Sequence, residues 1–248
     1  IFVGMIKPLS YLFSSIYYLV FGSLLVLFHP IQVICFHLFG IPAQSKAISY
    51  LNFFLIRCLG LLGTSVRFNN PISFPKDRTL VFVSNHQSTY DIPPLIWFLR
   101  HYLPKFVAKK ELGKGLPSIS YHLRKGGNVL IDRKDSVGSL KAIKAFCKNV
   151  RANGWSIVIF PEGTRTRNGQ PKPFQRGGLK IILEEVPDAL LVPISINNSW
   201  KLVKWKYFPM PLSVKISIDV NTPVDPKGLS VNDAIDQVEA VVRNGISS

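Results

Sequence analysis

Between Pro8 and Ser45 the chain carries no Asp, Glu, Lys or Arg. A stretch of that kind can be buried inside a large domain or placed in membrane hydrocarbon, and it folds well in few other settings. Its centre, "SYLFSSIYYLVFGSLLVLF", is 19 residues long, just enough to cross a hydrocarbon core of roughly 30 Å as a helix. His29-Pro30 is expected to interrupt it, leaving "IQVICFHLFG" too short to span. Gly40-Ile41-Pro42 ends that second piece, and a third, amphipathic stretch runs from about Gln44 to Leu62. The apolar core is too long for a secretory signal, and no small-residue cleavage site follows it. Residues 1–62 are therefore expected to attach the protein to a membrane. They would do so monotopically or as a single span of an inner membrane, with the rest of the chain on the cytoplasmic face. Lys7 and Lys46 are too few to decide the topology. The soluble alternative is a buried core helix.

From about Ser65 the pattern changes. Short runs rich in Val, Ile and Phe alternate with helical stretches, and this reads as an α/β domain over residues 63–248. Strands are expected at Ser65–Phe68, Thr79–Ser84, Lys105–Ala108, Asn128–Ile131, Ser156–Phe160, Ala189–Ile196 and Val214–Val220. Helices are expected near Ser88–Leu99, Leu116–Lys125, Val137–Asn153, Gly178–Val186 and Ser230–Asn244. That order implies a mixed, largely parallel sheet flanked by helices on both faces. Cys35, Cys58 and Cys147 are far apart and form no CxxC pair, which disfavours disulfides and zinc sites.

The net charge of +16 is concentrated. Residues 100–180 hold 18 Lys and Arg against 4 Asp and Glu. Such a region suits an anionic partner: nucleic acid, a membrane surface or a phosphorylated substrate. No helix-turn-helix, aromatic RNA-binding signature or zinc pattern accompanies it, and nucleic acid would leave the apolar N-terminus unexplained.

"SNHQSTYD" places His86 five residues before Asp91, directly after an expected strand. On a regular helix that interval separates two side chains by about 140°. Across a strand–turn–helix junction Asp91 can instead fold back toward the imidazole, fix its tautomer and leave the other nitrogen as a proton acceptor. The same residues, Ser88-Thr89-Tyr90-Asp91, also fit a capping box, and that reading stays open. Downstream, "IVIFPEGTRTRNG" runs from a strand into a turn with Glu162, Gly163, Thr164 and Arg165. Backbone amides near Gly163 with a guanidinium make an anion pocket plausible. Arg133 follows another strand and Lys109 ends a third. Charged residues at neighbouring carboxyl ends of an α/β sheet commonly line one crevice.

These blocks resemble the glycerolipid acyltransferase family. His86 to Asp91 matches the HxxxxD signature, and Gly127 to Arg133 looks like the second block. Phe160-Pro161-Glu162-Gly163-Thr164-Arg165 matches the third, and Val192 to Ile196 resembles the fourth. The similarity covers roughly Ser65 to Val220 and lies nearest the 1-acyl-glycerol-3-phosphate acyltransferase branch. The resemblance implies His86 as general base oriented by Asp91, with Lys109, Arg133 and Arg165 holding the acceptor phosphate. Glu162, Gly163 and Thr164 would bind substrate or organise the turn, and Arg176 in "PFQRGG" has no assigned role. It implies acyl-CoA or acyl-carrier protein as co-substrate, a lysophospholipid and membrane lipid as partners, no nucleic acid, no metal and no further cofactor. Other acceptors remain open: glycerol-3-phosphate, a lysophosphatidylcholine-type lipid or a lyso-aminolipid. A non-catalytic basic membrane-binding protein is the alternative from another class.

Overall fold

The computed structural model describes residues 2–246, with side chains from Lys7 onward. Ile1, Ser247 and Ser248, at the outer ends of the two expected segments, lie outside the described residues. The chain opens with α1 (Phe2–Cys58), which breaks at Gly40 into two helical arms. The break sits at φ 72° and ψ −163°, a conformation essentially restricted to glycine. Pro42 then starts the second arm, where a missing amide costs least. The arms fold back antiparallel, with Phe28 against Phe54 and the Cys58 thiol against the Tyr17 carbonyl.

The expected interruption at His29-Pro30 is absent, because the helix continues through Pro30. Ser118 ties the helix on both sides of the proline. Its hydroxyl donates to the Leu25 carbonyl at 2.7 Å, its amide donates to His29 Nδ1 at 3.0 Å, and its carbonyl accepts from Gln32 Nε2 at 3.0 Å. Those bonds hold both sides of the proline in register, and the ring itself faces outward. The first arm is inverted relative to a helix of a soluble protein. Ser10, Ser14 and Gln32 are fully buried, while Leu12, Leu19, Val26, Leu27 and Leu38 are exposed.

Among the described residues seven strands form one sheet: β1 (Ser65–Asn69), β2 (Leu80–Ser84), β3 (Pro104–Lys109), β4 (Val129–Ile131), β5 (Ser156–Ile159), β6 (Leu190–Asn197) and β7 (Lys215–Val220). Their order is β1-β7-β6-β2-β5-β3-β4. All neighbours pair in parallel except β6 with β7, so β1 and β7 run against the other strands. Among the described residues five further α-helices, with short 3-10 turns between elements, complete the fold: α2 (Ile92–Phe98), α3 (Ile119–Lys125), α4 (Ser136–Asn153), α5 (Arg176–Glu185) and α6 (Val231–Asn244).

Alternation along each strand sends its side chains to two cores. Phe82, Val158, Val192 and Ile194 face α1 and α2, whereas Val81, Ile157, Ile159 and Leu191 face α4, α5 and α6. Ile48, Leu51, Leu55, Leu59 and Leu62 belong to the first core, so the second arm is a layer of the domain. Each fully buried Leu or Ile contributes about 1.5–3 kcal/mol.

Lys105 is buried between that arm and the sheet. Its ammonium donates to Ser45 Oγ at 3.2 Å and lies 4.6 Å from the centre of the Trp155 ring. Burial pulls its pKa down to about 8. A base whose folded value lies below its ordinary value of about 10.4 costs stability at neutral pH and recovers it as pH rises through that interval. The stability gap between Lys105→Met and wild type is therefore expected to shift in favour of wild type by about 2 kcal/mol from about pH 7 to about pH 9.5. Parallel denaturant titrations at the two pH values measure the shift, and an unchanged gap removes the assignment.

Candidate active site

β2, β5, β3 and β4 lie side by side and run parallel, so the loops after them leave one edge of the sheet. At about 4.8 Å between strands, four such loops span about 14 Å. His86 follows β2, Arg165 follows β5, Lys109 ends β3 and Arg133 follows β4.

The loop after β2 is fastened first. Asn85 pairs with Ile196 of β6 through both side-chain atoms, at 2.9 and 2.7 Å. Thr89–Asp91 then form one tight helical turn that leads into α2. Here the two readings of Asp91 coincide. Its Oδ2 accepts from the Ser88 amide at 2.9 Å, closing a capping box, and from the Gln87 amide at 2.7 Å. The same oxygen lies 2.8 Å from His86 Nδ1. Oδ1 accepts from the hydroxyls of Ser88 and Ser199. With Asp91 only 1% exposed, these partners fix its position. An acceptor-only carboxylate facing Nδ1 selects the Nδ1–H tautomer and leaves Nε2 with its lone pair. The His86 side chain is 15% exposed and stacks on Phe160 at 4.2 Å.

Glu162 joins the turn after β5 to this loop. Its Oε1 accepts from the His86 amide at 3.0 Å and its Oε2 from the Lys172 amide at 2.9 Å. Burial pushes its carboxyl up, and the two amide bonds oppose that. Thr166, also buried, closes the bracket by donating from its amide to the His86 carbonyl at 2.8 Å. Glu162→Gln keeps one acceptor but turns an NH₂ toward the second amide. It is expected to cost about 1–3 kcal/mol and to lower activity with it, as thermal melts read beside turnover would show.

Gly163 holds φ at 70° in the turn, a left-handed value that suits glycine. Its amide donates to the Phe160 carbonyl at 3.2 Å, closing the turn. Thr164 lies exposed beside it. Arg165 Nη1 donates to Tyr207 Oη at 2.8 Å and to Thr89 Oγ1 at 3.3 Å, which aims the guanidinium across the mouth of the His86 loop. Arg133 is close enough to Arg165 to be affected by it. Desolvation lowers the Arg133 pKa from its ordinary value, Glu111 opposes this, and Arg165 adds to it. Lys109 pairs with Glu111 at 3.0 Å. An incoming phosphate would therefore compete with a carboxylate for Lys109. Arg176 lies at the start of α5 and pairs with Asp236 of α6. Among the described residues no three His, Cys, Asp or Glu side chains gather where they could hold a metal ion.

Ser199, Thr166 and Tyr207 were not legible as site residues. Ser199 and Tyr207 come from the segment after β6, over 100 residues beyond His86, and carry no local motif.

A buried carboxylate behind an imidazole, with Arg165 bonded to the same loop, is an arrangement suited to general-base chemistry at the carboxyl edge of an α/β sheet. Residues 65–197, over half of the chain, match the family model described as Acyltransferase. The chain belongs to that acyltransferase family. It is 38% identical over 152 residues to a 1-acyl-sn-glycerol-3-phosphate acyltransferase of Helicobacter pylori, covering 58% of this chain and 61% of that one. It is 30% identical over 186 residues to the 1-acyl-sn-glycerol-3-phosphate acyltransferase alpha of Ovis aries, covering 74% and 62%. The match thus spans about three fifths of the length of these curated relatives. The crystal structure of the 1-acyl-sn-glycerophosphate (LPA) acyltransferase PlsC from Thermotoga maritima superposes with a TM-score of 0.79 at 26% identity, covering 96% of this chain and 95% of that one.

Proposed function

We propose that the protein transfers a fatty acyl group from acyl-CoA or acyl-carrier protein to the free sn-2 hydroxyl of 1-acyl-glycerol-3-phosphate, making phosphatidic acid for phospholipid synthesis. The observation that carries this is the 2.8 Å contact of His86 Nδ1 with a fully enclosed Asp91, set beside Arg165. The 1-acyl-sn-glycerol-3-phosphate acyltransferases that the chain resembles point to the same acceptor.

In this reading the acceptor hydroxyl gives its proton to His86 Nε2 while its oxygen attacks the thioester carbonyl carbon. The imidazolium, steadied by Asp91, returns that proton to the departing thiolate as the tetrahedral intermediate collapses. No acyl-enzyme forms, and neither a metal nor a further cofactor is needed. Arg165, Arg133 and Lys109 hold the phosphomonoester. Glu162, Gly163 and Thr164 shape the turn that presents Arg165.

The same reading places the first arm of α1 flat in one leaflet, with the domain on the cytoplasmic face. That arm bonds to the domain from Ser14, through Met210, to Gln32, through Ser118. Eighteen residues of helix rise about 27 Å, and a helix tied to one domain along that length is poorly placed to cross a bilayer. Its apolar outer face suits hydrocarbon instead.

The test is thioester consumption against a panel of lyso-acceptors, with CoA and carrier-protein donors. Fastest turnover on lysophosphatidic acid supports the proposal. Preference for glycerol-3-phosphate, a lysophosphatidylcholine-type lipid or a lyso-aminolipid overturns the acceptor, and no acyl transfer to any of them overturns the enzyme.

A further inference from the structure

We propose that residues 201–208 form a second membrane-contacting element, seated on an anionic bilayer surface beside the first arm of α1. This loop would set the mouth of the His86 site at headgroup level. The inference rests on the reading that α1 lies in one leaflet.

The loop is "KLVKWKYF", and no Asp or Glu occurs between Asp188 and Asp219. Lys201, Lys204 and Lys206 are exposed. So are Trp205 at 38% and Phe208 at 48%. Large rings standing out among lysines suit the boundary between headgroups and hydrocarbon, where aromatic and basic side chains are both favoured near anionic lipid.

The loop is also held in an unfavourable backbone to keep those rings outward. Lys206 and Tyr207 sit at φ 55° and 74°, left-handed values that side-chain-bearing residues seldom adopt. The bonds that enforce this come from α1. Tyr18 Oη donates to the Tyr207 carbonyl at 2.8 Å, and the Met210 amide donates to Ser14 Oγ at 2.8 Å. Phe208 meets the ring of Tyr11, itself on the exposed apolar face of α1, at 5.4 Å. The exposed rings therefore continue the face that hydrocarbon would cover. On the inner side, the Tyr207 hydroxyl accepts from Arg165, which joins this surface to the phosphate-facing guanidinium.

The experiment uses the full chain with vesicles of phosphatidylglycerol or phosphatidylcholine carrying brominated acyl chains. Bromine should quench wild-type tryptophan emission in both lipids, and Trp205→Phe should lose a large share of that quenching. Lys204→Gln with Lys206→Asn, the latter tolerant of a left-handed backbone, should weaken binding about tenfold or more on phosphatidylglycerol and little on phosphatidylcholine. Trp205→Ser should lower turnover of a bilayer-embedded acceptor about tenfold and leave a short-chain soluble acceptor unchanged. If Trp205→Phe is quenched as fully as wild type while both bind vesicles, α1 docks and the loop does not. Should wild type fail to bind vesicles at all, the one-leaflet reading falls first. Trp205 emission that responds to protein concentration instead of vesicles would give the loop to a second copy of the chain and overturn the proposal.

Discussion

Replacing His86 with alanine is expected to reduce turnover by about 10²–10⁴-fold while both KM values stay within about threefold of wild type. The ring is partly exposed and its neighbours bond to the His86 backbone, which the substitution keeps, so the melting temperature should change little. Activity within threefold of wild type would remove His86 from the chemistry. Asp91 separates two roles that the structure superimposes. Because one oxygen faces the imidazole and both the Gln87 and Ser88 amides, Asp91→Asn either keeps its oxygen there and loses the charge that steadies the imidazolium, or turns its NH₂ toward all three and holds the wrong tautomer. Turnover should then fall nearly as far as in His86→Ala, with a modest loss of stability. Asp91→Ala strips every acceptor from a buried site facing the Gln87 and Ser88 amides and the Ser199 hydroxyl. Each donor left unpaired costs about 1–3 kcal/mol, so this variant should lose melting temperature as well as turnover. If Asp91→Asn keeps near-normal turnover while Asp91→Ala only destabilises, Asp91 is a cap and nothing more.

The second large effect concerns the phosphate. Arg165→Lys keeps a charge but loses the planar fork that matches phosphate oxygens and that here also bonds Tyr207 and Thr89. A lost charge-assisted contact of about 1.5–3 kcal/mol corresponds to roughly a 10- to 150-fold rise in acceptor KM, with donor KM nearly unchanged. Arg133→Lys should follow with a smaller rise, because its loop is farther along the sheet edge. Lys141 and Lys148, exposed on α4, serve as controls. Their neutralisation should leave acceptor KM unchanged. Controls that raise acceptor KM as much as Arg165→Lys would show that the basic surface acts through its overall field, with no discrete pocket.

What was legible in the sequence was whatever is written locally. Strands such as Val81-Phe82-Val83 read as strands because burial on both faces makes an unbroken apolar run. The five-residue interval of His86 and Asp91 made sense only across a turn, and the turn was marked by the apolar run before it and the capping residues after it. The FPEGTR block was similarly compact, so Glu162, Gly163 and Arg165 could be named before any fold was known. The proline at position 30 misled for the opposite reason. Proline's local cost is real, but here the helix runs on through it, tied on both sides by Ser118, a residue 88 positions away whose hydrogen bonds no local pattern announces.

The order of motifs in the chain therefore determined the fold class, the apolar N-terminal segment and the chemical groups of the candidate site. Tertiary structure alone decided where those groups meet. Four parallel strands in the order β2-β5-β3-β4 bring loops separated by up to 80 residues to one sheet edge, and that order is not written in any strand. It also decided that Lys109 faces Glu111, that the Gly163 amide is engaged, and that Ser199 and Tyr207 complete the surroundings of Asp91 and Arg165. Residue type and local spacing specify what a side chain can do. Its partners are set by long-range packing, where each contact depends on the placement of elements that share no sequence neighbourhood with it.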